Sequence, residues 1–129
     1  MAEAPCPPRV DTAAAAALLL AGLADAAVER AAVLYLDPEW RLLGRSDFVG
    51  QADTVAPPLR AVIAEALRLD AAALVLGHSH PSGDPAPSAA DVAYTRALGR
   101  VAAAVDLMLA DHLIVADGRI TSLREGGWM

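Results

Sequence analysis

Two of the three histidines in this 129-residue chain, His78 and His80, stand one residue apart in "LGHSHPSGDPAPSAADVAYT", residues 76–95. In an extended chain residues i and i+2 share a face, whereas on a helix they point about 200° apart. Both imidazoles therefore converge on one point if they sit at a strand end, where ligand sites gather in open α/β sheets. Asp91 follows eleven residues after His80. Two neutral imidazoles and one carboxylate are three ligands for a tetrahedral cation such as zinc, with the fourth position left to water. Such an open site is catalytic rather than structural in character. The same residues admit simpler readings. Ser88 and Asp91 also make an N-cap with an acid in the first helical turn, a device that needs no metal. His-x-His pairs occur in loops by chance. Asp84 is a rival third ligand, but "PSGDP" is a natural turn and a turn role suits it better. His112 is available as a fourth ligand in principle; it opens the run "DHLIV" and reads more simply as a hydrogen-bonded strand histidine.

The elements around these residues must hold them. "AAALVLG" at 71–77 is a short apolar run that reads as a central strand leading into the histidines. After the loop, Tyr94, Leu98, Val101, Val105 and Met108 recur every three or four residues and mark a helix that begins at Ser88, so Asp91 falls on its first turn. Upstream, "RAAVLYLD" at 30–37 is a buried strand ended by Asp37-Pro38, and "WRLLGRSDFV" at 40–49 follows closely enough to pair with it as a hairpin. "TVAPP" opens a helix with apolar Leu59, Val62, Ile63 and Ala66, and a proline suits its first turn. Asp11 or Thr12 caps an earlier helix that runs to about Ala27. "DHLIVADGRITSL" closes the chain as two strands joined by Asp117-Gly118, a dipeptide preferred in two-residue hairpins. Residues 1–10, with three prolines, read as a loose tail, and 11–129 as one domain. The expectation is a single α/β domain of three helices and roughly five strands in a mixed sheet.

Composition removes several functions. All ten basic residues are Arg against 16 acids, so the net charge is -6, opposite in sign to a nucleic-acid footprint. Aromatic residues are 4%, too few for a base-stacking platform. The single Cys6 excludes a disulfide within the chain and a cysteine zinc cage, and a free thiol suits a reducing compartment. The apolar run from Ala13 ends at Asp25 after about a dozen residues, short of the ~18–20 a membrane span requires. The preceding "MAEAPCPPRVDT" has acids and prolines in place of a basic leader, so a cytoplasmic location is expected.

The stretch "HSHPSGDPAPSAAD" resembles the His-x-His-Pro … Ser-x-x-Asp signature of JAMM (JAB/MPN+) metallopeptidases. The longer "GHSHPSGDPAPSAADVAYTRAL" resembles the RadC branch of that family, and "DHLIVADGRITSLRE" its closing strands, so the likeness runs from about Glu29 to Glu125. It implies a cytidine-deaminase-like fold, a mixed sheet flanked by helices. It implies zinc ligands at His78, His80 and Asp91, and a serine at Ser88 whose hydroxyl steadies a tetrahedral intermediate. It also implies an upstream Glu as general base, which the motif does not locate. If strand 30–36 lies antiparallel beside strand 71–77, Glu29 neighbours the histidines and Glu39 lies at the opposite end. RadC-like sequences likewise carry a Glu just before this strand. Glu65, on a helix, reads as a solvated face residue. The activity implied is zinc-dependent hydrolysis of an amide bond in a peptide or isopeptide-linked protein. The alternatives are a DNA-repair accessory of the RadC type and a zinc-binding interaction module with little turnover. A deaminase is excluded, since that chemistry uses H-x-E and P-C-x-x-C and this chain has neither. The sequence departs from the RadC pattern at Ser79, where Asn is usual, and no helix-hairpin-helix region precedes the domain, which argues against a DNA role.

Overall fold

A computed structural model describes residues 8–20, 22–23, 28–50 and 56–129. Most of the expected tail, and residues 24–27 at the expected end of the first helix, lie outside the described residues. The described elements are α1 (Ala13–Leu20), β1 (Arg30–Leu36), β2 (Leu42–Val49), α2 (Leu59–Arg68), β3 (Ala73–Ser79), α3 (Ala89–Ala104), β4 (Met108–Ala116) and β5 (Arg119–Ser122). The expected α/β class and mixed sheet are what the chain forms.

The five strands lie in the order β2-β1-β3-β4-β5. β3 is central, antiparallel to β1 and parallel to β4, and every one of its residues is buried. A strand covered on both faces must be apolar throughout, which is why "ALVLG" carries no polar alternation. Its residues divide by face. Ala73 and Val75 join Leu34, Leu36, Leu113 and Val115 against Leu20 of α1. Leu74 and Leu76 join Val33 and Tyr35 against Val62 of α2 and Leu98 of α3. The sheet is thus sandwiched, with α1 on one face and α2 and α3 on the other. Gly77 falls on the α1 face, where a Cβ would stand 2.5 Å from Leu20 Cδ1. Its missing side chain lets α1 close on the sheet one residue before His78.

Local chemistry decides most element ends. Thr12 is the cap of α1, its hydroxyl accepting the Ala15 N–H at 3.0 Å. The β4–β5 turn has positive φ at both Asp117 and Gly118, as an Asp-Gly hairpin requires. Two ends differ from expectation. β3 continues through His78 and Ser79, so the first histidine lies inside the strand and not after it. α3 stops at Ala104, and Met108 opens β4. The stop is a Schellman arrangement: Asp106 takes the left-handed conformation at φ 60, its N–H donates to Ala103 O, and Leu107 N–H donates to Ala102 O. α2 ends the same way around Asp70, φ 54, with Asp70 N–H on Leu67 O and Ala71 N–H on Ala66 O.

Candidate metal centre

His78 and His80 follow Leu74 and Leu76 on the face of β3 covered by α3, so the strand period delivers both rings to one side. The tail of β3 and the start of α3 then meet. His78 Nε2 and His80 Nε2 lie 2.8 Å apart. His78 Nε2 is 3.1 Å from Asp91 Oδ1, and His80 Nε2 is 3.1 Å from Asp91 Oδ2. Ser88 is the N-cap of α3 in a full capping box: its hydroxyl oxygen accepts the Asp91 N–H at 3.0 Å, and its own N–H donates to Asp91 Oδ2 at 2.8 Å. The helix-start and ligand readings of Ser88 and Asp91 are therefore compatible, because the cap is what aims the carboxylate at the histidines. Burial alone would raise the Asp91 carboxyl; the adjoining His78 ring and the hydrogen bonds from Ser88 outweigh it and hold the group well below the usual carboxylate range.

β1 pairs antiparallel with β3 as expected, Ala31 opposite His78, which brings Glu29 alongside the histidines. Ligand atoms of Glu29, His78 and His80 all lie within 4.8 Å of one another. The main chain here is fastened from two sides. Glu29 O accepts from Gly50 N–H at 2.8 Å beyond β2, and Arg30 N–H donates to Ser79 Oγ at 3.0 Å on β3. The other two acids are elsewhere. Glu39 sits in the β1–β2 turn, its N–H on Asp37 Oδ1, and Glu65 pairs with Arg68 on α2. Asp84 is occupied by the loop: its carboxylate accepts the Ala86 N–H at 3.0 Å, and Gly83 turns the chain at φ 84.

The outer nitrogens of both rings have partners. His80 Nδ1 lies 2.8 Å from the Asp84 carbonyl, which can only accept, so Nδ1 carries the hydrogen and Nε2 presents its lone pair inward. His78 Nδ1 lies 2.7 Å from His112 Nε2. His112 is therefore hydrogen-bonded, as a strand histidine should be, but its partner is a candidate ligand. Burial, then the neighbouring His78, lowers its pKa to about 3, so the ring is neutral at ordinary pH. The pattern of the chain offers His112 as a strand histidine or, in principle, a fourth ligand, and assigns no role to Thr95. The available signal was that the third histidine falls in the strand next to β3, with Thr95 one helical turn after Asp91.

The inward lone pair of His80, the Nε2 of His78 and an ionised carboxylate converge on one electron-rich point that a proton or a cation must satisfy. Nitrogen and carboxylate donors in this number suit zinc. The point opens into a cleft of about 720 Å³ lined by Glu29, His78, His80, Ser88, Asp91 and Tyr94, among others.

A mixed sheet flanked by helices on both faces, with a His-x-His pair at the end of its central strand facing a helix-cap Asp, is the arrangement of a JAB-type domain. The chain belongs to the RadC-like JAB domain family, whose model matches residues 10–128. It is 46% identical over 112 residues to a UPF0758 protein of Acidithiobacillus ferrooxidans, covering 85% of this chain and 50% of that protein. A UPF0758 protein of Bordetella avium is likewise 46% identical over 112 residues, with 84% and 48% covered. One from Xanthomonas campestris is 43% identical over 99 residues, with 76% and 44% covered. The chain spans about half the length of these curated relatives, so a missing helix-hairpin-helix region cannot be used against a DNA role for the longer proteins. No helix among the described residues is long and apolar enough to cross a membrane.

Proposed function

We propose that this domain is a zinc-dependent hydrolase of amide bonds, acting on a peptide or an isopeptide-linked protein. The observation behind the proposal is the convergence of His78 Nε2, His80 Nε2 and the Asp91 carboxylate at a cleft, with Glu29 beside them. His78, His80 and Asp91 would hold the metal. When bound, zinc supplies a Lewis acid that lowers the pKa of a coordinated water toward ~7 and polarises a carbonyl.

The chain's own residues do the rest. In this reading Glu29 takes a proton from the attacking water and returns it to the leaving amine, the two halves of general acid–base catalysis. The main chain that carries it is held by Gly50 N–H on its carbonyl and by the Arg30 N–H bond to Ser79 of β3. Ser88 Oγ already accepts the Asp91 N–H, which leaves its own hydrogen free to donate toward an oxygen gaining charge in the cleft. In the neutral His80 ring the Asp84 carbonyl holds the hydrogen on Nδ1, which leaves the lone pair on the inward nitrogen.

Metal analysis tests the reading first. The purified protein should carry about one zinc per chain, and His78→Ala or Asp91→Ala should each remove most of it. Undiminished zinc in both variants would end the ligand assignment. A panel of peptide and isopeptide conjugates then tests turnover, which should disappear on chelation and return with zinc.

A further inference from the structure

Behind the ligands runs a second row of contacts that the proposed reaction does not use. His78 Nδ1 meets His112 Nε2 at 2.7 Å, His112 Nδ1 meets Thr95 Oγ1 at 2.5 Å, and Thr95 Oγ1 reaches the Asp91 carbonyl at 2.8 Å. Asp91 Oδ1 in turn lies 3.1 Å from His78 Nε2, so the path leaves one candidate ligand residue and returns to it through the other. It crosses three elements: β3, β4 and the first turns of α3. His112 is 2% exposed and Thr95 1%, so water does not compete for these partners.

The hydrogens along this path are not independent. Resting on the reading that His78 offers Nε2 to a metal, its hydrogen must sit on Nδ1. His112 Nε2 then accepts, which puts the His112 hydrogen on Nδ1. Thr95 Oγ1 accepts that one and spends its own hydrogen on the Asp91 carbonyl, which can only accept. One condition fixes all the hydrogens, and each donor finds an acceptor. The parallel pairing of β3 with β4 supplies the register, since His112 sits opposite Leu76, two residues before His78. Thr95 lies four residues after Asp91, on the same face of α3.

We propose that His112 and Thr95 are positioning residues that hold His78 in its Nδ1–H tautomer, keep its Nε2 lone pair aimed into the cleft, and tie that aim to the helix turn carrying Asp91. Neither touches substrate or metal. Each acts through His78. An outer partner of this kind is worth ~10–100-fold in metal affinity.

The test compares wild type with His112→Gln, His112→Leu and Thr95→Val. Zinc affinity is read by competition with a chromophoric chelator. Histidine tautomers are read by long-range ¹H–¹⁵N NMR on the metal-free protein, with amide spectra to establish that each variant is folded. Gln keeps an acceptor near the Nε2 position, so its affinity should stay within about threefold of wild type. His112→Leu should lose ~10–100-fold, with His78 no longer held as Nδ1–H. Thr95→Val is nearly isosteric and removes only the hydroxyl, so it should weaken zinc while leaving the fold intact. If His112→Leu is folded, binds zinc like wild type and keeps the His78 tautomer, the proposal is overturned. The same holds if Gln fares no better than Leu, because the effect would then be packing. Wild-type protein that binds no zinc would end the metal reading instead. The tautomers still decide the relay in that case: Nδ1–H on both His78 and His112 supports it, and Nε2–H on His78 rejects it.

Discussion

Glu29 and Asp91 are carboxylates beside the same two imidazoles, and their surroundings divide the work between them. Asp91 is bonded through both oxygens and both main-chain flanks of its cap, an arrangement that suits a fixed anionic ligand. Glu29 has its main chain fastened, and its carboxylate closes the group of ligand atoms at up to 4.8 Å. In the proposed reaction it moves a proton and does not hold metal. Glu29→Gln should therefore keep zinc content near wild type while cutting hydrolysis of a confirmed substrate by ~10²–10⁴, the usual worth of general-base catalysis. Zinc content and rate, measured on the same preparation, separate the possibilities. A wild-type rate would make Glu29 a bystander, and loss of zinc would make it a fourth ligand. Most of this site was legible in the chain. The His-x-His spacing, the Ser88–Asp91 helix start and the antiparallel placement of Glu29 follow from local periodicity and one strand pairing. His112 and Thr95 were not legible as partners, because their meeting depends on the register of a parallel pair whose strands are joined through a whole helix.

At the level of elements, the helix ends were the least readable feature, and the cause is chemical. A C′ position usually announces itself with glycine, but α2 and α3 use Asp70 and Asp106 there, both with positive φ. Without that signal, the apolar spacing of α3 runs on through Val105 and Met108 and disguises the stop. An L-residue in the left-handed region is strained, and an acid at a helix C-terminus opposes the dipole. Asp106→Gly should thus stabilise the fold by ~0.5–1 kcal/mol, seen as a higher denaturation midpoint with unchanged slope. No gain would mean that the Asp106 side chain makes a compensating contact. A second element-scale feature is the tie between α3 and the segment before α2, where the Tyr94 hydroxyl donates to Pro57 O at 2.6 Å. Burial, then the nearby Tyr35, raises the Tyr94 pKa to about 12. Burial likewise raises Tyr35, against the Ser46 hydrogen bond. The folded state favours the neutral phenol, so this stabilisation is complete below the ordinary tyrosine value of ~10 and is lost as pH climbs toward 12. Denaturation midpoints across that range should fall with pH, and Tyr94→Phe should flatten the fall in part, Tyr35 supplying the remainder. An identical slope in the variant would show that Tyr94 titrates normally.

Across the chain the net charge is -6, and the cleft itself is bordered by Glu29, Asp84 and Asp91. The same acidity favours a cation at the centre. The sheet order also explains why such a cation must report on folding. His78 and His80 are neighbours in any extended chain, but Asp91 joins them only when α3 packs on the face of β3, and Glu29 only when β1 pairs beside it. The unfolded chain keeps a two-histidine fragment and loses the rest. Zinc should therefore bind the folded state far better than the unfolded one, and any such ligand stabilises by mass action. At free zinc 100-fold above its dissociation constant the gain is ~2.7 kcal/mol, several degrees of midpoint for a chain of this length. Thermal melts with added zinc and with a chelator would measure it. His78→Ala should melt at the same temperature under both conditions, since with one imidazole gone Asp91 and His80 alone hold zinc weakly. A wild-type midpoint that ignores both zinc and chelator would mean that the electron-rich point at the end of β3 is satisfied by protons, and the centre would then be a hydrogen-bonded cluster.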